Sequence, residues 1–331
     1  MKLTFIDNNQ NDKVGSYRIW VRDLSQTLAG LGHDVSIQSD TSNVPEDADT
    51  VIFSKSTYQT ATTYKKCSPH VKIGAINLPC NFPGKNIDFV IAGSYEERVS
   101  LSSYDHVFVY PLIERKFMNL PLKIHNKTEK IRLCFHGHYP HLFKFFPYLK
   151  IAIEKFSTLH TTELILITGH SNFTWTEQLG MPQGIRIERH PYDDKTFSNL
   201  ISSCDIGLVP NISDLTCQVK DLRKITSVDC GLYDTDYFLR FKNKTNLGRA
   251  YVFYQHGIPV IHDLSPSSFD FMGRSGHYVC AHDHKSWLRE LKKLSDPDYR
   301  QSVSDDNKKI FERDFNPVDH AKMLVDFIRE I

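Results

Sequence analysis

Short apolar runs alternate with amphipathic helical stretches along most of this chain, and that alternation constrains its fold more than any other feature. Apolar runs fall at 3–6, 35–37, 51–53, 71–76, 89–91 and 107–110. Between the first two, Ile19, Trp20, Leu24, Leu28 and Leu31 mark one helical face that stops at Gly32. Ser94 and Glu97 have the spacing of a capping box, so Glu97 reads as a cap partner rather than a base. Short strands separated by helices pair in parallel through right-handed crossovers. A second series follows at 131–135, 164–168, 185–188, 206–209, 260–261 and 278–280, with helices expected at about 142–156 and 287–294. Between the two series, residues 111–130 hold two prolines and a basic, polar composition. The reading is α/β: two parallel-sheet domains, 1–120 and 121–315. A last helix, 316–331, carries Ala321, Leu324, Val325 and Ile328 on one face.

Composition narrows the partners. The 331 residues carry 40 Lys+Arg against 39 Asp+Glu, a net charge of +1, so no bulk attraction to nucleic acid is expected. A hydrophobic share of 40% suits a globular protein with a sizeable core. No apolar run approaches the ~20 residues of a membrane span, and MKLTFID lacks a signal-peptide pattern. Seven scattered cysteines without a C-x-x-C pair favour free thiols in a reducing compartment. The sequons at Asn126, Asn172, Asn211 and Asn243 then read as coincidental. The expected location is cytoplasmic, compatible with peripheral contact at the inner face of a membrane.

The chemistry concentrates in residues 241–263, FKNKTNLGRAYVFYQHGIPVIHD. Thr245 suits an N-cap, and Leu247, Ala250, Tyr251 and Tyr254 recur at helical spacing. Gly257 stands where a left-handed residue ends a helix, Pro259 blocks continuation, and Val260-Ile261 enters a sheet. Lys242, Lys244 and Arg249, with the amides near Thr245 and Asn246, crowd a helix start that already favours anions. A diphosphate is the natural occupant; a solvated basic helix end is the plainer alternative. Upstream, strand 131–135 runs into His136-Gly137-His138-Tyr139-Pro140-His141. The glycine there suits a phosphate-binding turn. The three histidines have no carboxylate or cysteine partner at metal-site spacing, so no metal is expected. Asp234 and Asp236 form a D-x-D pair, inside the second domain. Residues 211–240 lack periodicity, which in a compact domain is often functional. No G-x-G-x-x-G follows a strand, which disfavours a dehydrogenase.

The run K-x-K-T-N-x-x-R…Y-x-x-x-G-I-P-V-I resembles the donor-binding helix of GT-B fold glycosyltransferases, in the subset with a Lys/Asn/Arg-rich helix start. The E-x7-E of many retaining members is absent, since Lys244 and Val252 occupy those places. The resemblance implies two Rossmann-like domains facing a central cleft, with the second holding a nucleotide sugar and the last helix crossing back to the first. It implies Gly15, Ser16 and Arg18 at a first-domain loop, with plain packing or solvent contact as the alternative. It also implies Gly137 and His138 near the donor phosphates or sugar, and His190, Pro191 and Tyr192 beside the nucleobase. Asp7 and then Glu96 are the candidate bases for an inverting reaction. The expected reaction is sugar transfer to a glycan or lipid-linked acceptor, with no cofactor beyond the nucleotide-sugar co-substrate. A nucleotide-sugar epimerase, a CMP-sugar (sialyl- or Kdo-type) transferase and a non-catalytic nucleotide-binding module are the alternatives.

Overall fold

The computed structural model describes residues 1–331 except 13, 80–85, 139–140, 143–144, 146–147, 170–180 and 212–246. The chain divides into two compact units, Met1–Lys116 with Phe315–Ile331, and Phe117–Asp314.

The first unit is built on a six-stranded sheet of order β2-β1-β3-β4-β5-β6. Its strands are β1 (Lys2–Ile6), β2 (Asp34–Gln38), β3 (Thr50–Phe53), β4 (Lys72–Ile76), β5 (Phe89–Ala92) and β6 (Val107–Val109). All pairings are parallel. The helix after β1, here α1, starts as Gly15–Tyr17, passes through a π-helical stretch Arg18–Asp23 and continues as Leu24–Gly30. π-Helical insertions of this kind gather at functional sites. Gly32, where the sequence stops the helix, follows at φ +87°, in the left-handed region. Two more helices complete the crossovers, α2 (Tyr58–Cys67) and α3 (Tyr95–Ser100). In α3 the Ser94 hydroxyl caps the Glu97 amide at 3.1 Å, and the Glu97 carboxylate accepts from the Gly93 amide at 2.6 Å.

The last helix of the chain, Pro317–Glu330, belongs to this unit. Its Ala321, Leu324, Val325 and Ile328 are buried with Trp20, Leu24 and Leu28 of α1 and with Leu3 and Phe5 of β1. One helical face of alternate i, i+3, i+4, i+7 apolar residues is sufficient to hold it there.

The second unit has strand order β12-β11-β10-β7-β8-β9. The strands are β7 (Ile131–Gly137), β8 (Thr162–Thr168), β9 (Arg186–Pro191), β10 (Ile206–Val209), β11 (Val260–Asp263) and β12 (Cys280–Ala281), again all parallel. The helices here are α4 (Tyr148–Ser157), α5 (Asp194–Ser202), α6 (Gly248–Gln255), α7 (Pro266–Met272), α8 (His284–Lys293) and α9 (Pro297–Asp314). The helix expected from about residue 142 starts at Tyr148, one place beyond Pro147. Helix α9, the longest of the described residues, is not visible as a periodic pattern, because Arg300, Ser304, Asn307 and Lys308 share its buried face with Val303, Ile310 and Phe311.

Both sheets place a change of winding direction at one pair of neighbours. In the first unit that pair is β1 and β3; in the second it is β7 and β10. Crossovers leave such a point in opposite directions and open a crevice beyond the carboxyl ends of the two strands, where ligands of doubly wound sheets bind.

Candidate active site

At the β7/β10 crevice, β7 ends on Gly137 and β10 leads into Pro210 and Asn211. Helix α6 starts beside them with Arg249 as its second residue. The Arg249 Nη2 donates to the Asn211 side-chain carbonyl at 3.0 Å and lies 3.5 Å from the Pro210 carbonyl. Its guanidinium carbon stands 5.3 Å from the centre of the Phe135 ring, a cation–π contact. Gly137 holds φ +130°, and a Cβ there would lie 3.0 Å from the Arg249 Cδ, so glycine is what lets the strand end pass the side chain.

One atom in this cluster is out of balance. Arg249 as a residue keeps part of its surface, yet Nη1 is shut off from solvent and has no hydrogen-bond partner among the described residues. Burial lowers the guanidinium pKa to about 10, against the opposing pull of Asp263. The group therefore stays cationic at neutral pH. A buried, charged donor with no acceptor costs free energy, and it sits in the first turn of a helix, where the dipole disfavours a cation. An anion bound there removes both penalties.

The surroundings hold the cluster in place. Asp263, the last residue of β11, accepts from Trp287 Nε1 at 3.0 Å and from the Asn211 amide. The His136 Nε2 lies 2.9 Å from the Arg249 carbonyl, and since a carbonyl only accepts, Nε2 carries the proton. Burial lowers the His136 pKa to about 3, and His262, also buried, is at about 3 and bonded to the Tyr254 hydroxyl. Both rings are neutral at physiological pH, so the positive charge of the described cluster is that of Arg249.

In the first unit, a cavity of about 320 Å³ opens beyond the carboxyl ends of β1 and β3. Asp7 follows β1 and is 5% exposed. Its Oδ1 accepts from the Asn9 amide at 2.7 Å and the Ser56 hydroxyl at 3.2 Å. Ser54, Lys55 and Ser56 follow β3, with the Ser54 amide bonded to the Ile6 carbonyl at 3.0 Å. Ser16 and Tyr17, from the start of α1, and Trp20, from its π-helical stretch, complete the lining. Val14, in the N-cap position of α1, offers no side-chain acceptor.

The residues singled out from the sequence separate into several groups. Arg249 and Gly137 come together at the β7/β10 crevice, and Asp7 and Ser16 line the β1/β3 cavity; Gly15 is the first residue of α1. Glu96 sits in α3 and is not among the cavity's lining residues. Arg18 forms a buried, two-pronged ion pair with Glu114 and donates to the Asp12 carbonyl at 2.7 Å. Its guanidinium ties α1 to the end of the first unit. Arg22 pairs with Asp12 and Asp23. His138 is exposed, with its ring 6.1 Å from that of His141. His190, Pro191 and Tyr192 lie at the end of β9, the edge strand; the Tyr192 amide donates to the Thr168 carbonyl and its hydroxyl to Asp194. Lys242, Lys244, Thr245 and Asn246 lie outside the described residues, as does the Asp234/Asp236 pair. Helix α6 is described from Gly248, with Leu247 in the N-cap position. Gly257 ends it at φ +68°. His136, Asn211 and Asp263 were not singled out from sequence; their one shared signal is a polar residue at or just past a parallel strand's carboxyl end. Among the described residues no group of three or more His, Cys, Asp or Glu side chains is placed to hold a metal ion. None of the helices searched is long and apolar enough to cross a membrane.

No protein-family model and no curated protein sequence matches this chain. Solved structures do. Sucrose-phosphate synthase from Thermosynechococcus elongatus matches at a TM-score of 0.61 with 13% identity, over 100% of this chain and 98% of that one. An E. coli structure described as trehalose-6-phosphate bound with UDP-2-fluoro glucose matches at 0.63 with 10% identity, over 100% and 99%. Anabaena HepE in complex with UDP and glucose matches at 0.60 with 9% identity, over the whole of both chains. With two six-stranded parallel sheets and flanking helices in this order, the chain has the GT-B fold of these glycosyltransferases.

Proposed function

We propose that this protein is a glycosyltransferase that draws a sugar from a nucleotide-sugar donor without a bound metal. The observation that carries the reading is the buried Nη1 of Arg249, cationic and without an acceptor among the described residues, in the first turn of a helix at the β7/β10 crevice. Structures of the same fold bound to UDP-sugars support it. As the bond from the anomeric carbon to the diphosphate breaks, its electron pair passes to the diphosphate oxygen. Arg249 and the amides opening α6 stabilise that charge. Lys242, Lys244, Thr245 and Asn246 are proposed to extend the same site, and His190, Pro191 and Tyr192 to neighbour the nucleobase. In an inverting reaction Asp7 takes the proton of the acceptor hydroxyl while that oxygen bonds to the anomeric carbon. A retaining reaction needs no such base. The acceptor is a glycan or a lipid-linked sugar, and the reaction is cytoplasmic.

The test has two stages. Thermal shifts against UDP-, GDP-, dTDP-, ADP- and CMP-sugars identify the nucleotide, since a ligand stabilises with the logarithm of its concentration. Release of free nucleotide is then followed in excess EDTA with the preferred donor. Acceptor-dependent release supports a metal-free transferase. Scrambling of the donor sugar without release points to an epimerase, and activity that returns only with manganese defeats the metal-free mechanism.

A further inference from the structure

The β1/β3 cavity has a chemistry of its own. At about 320 Å³ it is close to the lower bound of roughly 300 Å³ for small-molecule sites, so its occupant is small. Its polar lining is rich in groups that pair with hydroxyls, namely Ser16, Ser54, Ser56 and Asn9. Asp7 is nearly fully buried and accepts two hydrogen bonds through Oδ1, while Oδ2 has no hydrogen-bond partner among the described residues. In a cavity whose walls are otherwise largely apolar, from Val14, Trp20, Val21 and Ile76, that carboxylate oxygen is an acceptor for a ligand hydroxyl.

Lys55 adds the opposite charge. It is the one cation among the described residues lining the cavity, and it forms no ion pair, with Asp7 or with any other described acid. Lys55 is exposed and stands between Ser54 and Ser56 on the turn between β3 and α2; its ammonium is suited to a phosphate or carboxylate.

We infer that this cavity binds a monosaccharide bearing an anionic substituent, with a ligand hydroxyl on Asp7 Oδ2 and the anionic group on Lys55. The inference rests on the glycosyltransferase reading for its sense as an acceptor site, and it narrows the acceptor to a charged sugar. Binding itself does not require transfer, which makes the two separable.

The experiment is isothermal titration of the full chain with glucose 6-phosphate, glucuronate, glucose and inorganic phosphate, alongside UDP. One or both charged sugars are expected to bind about three- to tenfold more tightly than glucose, and phosphate alone more weakly than the phosphorylated sugar. The two charged probes distinguish a phosphate from a carboxylate as the recognised group. In Lys55→Ala the advantage over glucose is expected to disappear, and in the parent it is expected to shrink as salt is raised. Asp7→Asn is expected to weaken charged and neutral sugars alike, while both variants keep the parent's UDP affinity. Glucose binding as tightly as the charged sugars, or an unchanged preference in Lys55→Ala, overturns the inference. UDP binding without binding of either charged sugar sinks this inference alone. Charged-sugar binding without UDP binding sinks the donor site alone.

Discussion

Replacing Arg249 by Met tests the donor site through two effects of opposite sign. Methionine keeps an unbranched chain over Phe135 and removes the charge. In the free protein, holding the cation against a burial that lowers its pKa to about 10 costs on the order of 3 kcal/mol. The substitution removes that cost, and forfeits about 1 kcal/mol from the bond to Asn211 and a further ~0.5–1 kcal/mol of cation–π attraction. The unliganded variant should thus be more stable by about 1 kcal/mol. With nucleoside diphosphate the sign reverses. Losing a charge-assisted hydrogen bond of about 1.5–3 kcal/mol weakens affinity roughly ten- to hundredfold. At a concentration a hundred times the parent's Kd, ligand stabilisation falls from about 2.7 kcal/mol to about 1.4 or 0.4 kcal/mol. For a unit of this size the ligand-induced rise in Tm drops from about 5–10 °C to about 1–5 °C. Differential scanning fluorimetry with and without the preferred nucleotide reads both effects. A variant that binds nucleotide as the parent does, or whose free form melts 5 °C lower, refutes the reasoning, because Arg249 is then a structural cation.

Three further outcomes follow from the same geometry. Gly137→Ala adds a Cβ at φ +130°, 3.0 Å from the Arg249 Cδ; both Tm and nucleotide affinity should fall, with a backbone cost of about 1–3 kcal/mol, and unchanged affinity would separate Gly137 from the site. Glu114→Ala removes the carboxylate paired with the buried Arg18 guanidinium and should destabilise the first unit by about 3 kcal/mol; nucleotide affinity should not change, whereas a loss of affinity at normal stability would return Arg18 to a ligand role. Acid should destabilise the second unit, because burial lowers His125 to about 4 and His136 and His262 to about 3. Unfolded histidine titrates near 6.5. Between about pH 6.5 and 4 the unfolded chain takes up protons that the folded unit refuses, so stability falls with pH by up to about 1.4 kcal/mol per pH unit for each ring. Burial lowers His256 of this unit as well, so His262→Gln should reduce that slope without abolishing it, and a chemical-denaturation series from pH 7 to pH 4.5 with no change in slope would show that His262 is not held neutral.

The sequence by itself determined the two parallel sheets, the membership of the last helix's apolar face in a core, the helix stop at Gly32 and the left-handed glycine at Gly257. Those features are local or periodic: alternation of short apolar runs, one apolar stripe, a glycine where a helix must stop. Arg249 and Asp7 were legible for a related reason, as polar residues at a helix start and a strand end. Only the tertiary structure decided what each charge meets. Arg18 and Arg249 are both arginines near a helix start. Arg18 is neutralised by Glu114, 96 residues away, while Arg249 has a buried nitrogen with no acceptor among the described residues. His136, separated from the exposed His138 by one glycine, is the ring that holds the α6 backbone, because it still lies within β7, whereas His138 follows Gly137 at φ +130°, past the strand end, where strand alternation no longer sets its direction. Helix α9 escaped the sequence reading because polar side chains on its buried face find backbone partners: Arg300 donates to the nearby carbonyls of Leu294 and Ser295 and to that of Asn126, 174 residues away, and Ser304 donates to that of Gly257, 47 residues away. Carbonyl partners of this kind leave no periodic mark in the sequence, since any residue type supplies one and two of them lie far along the chain.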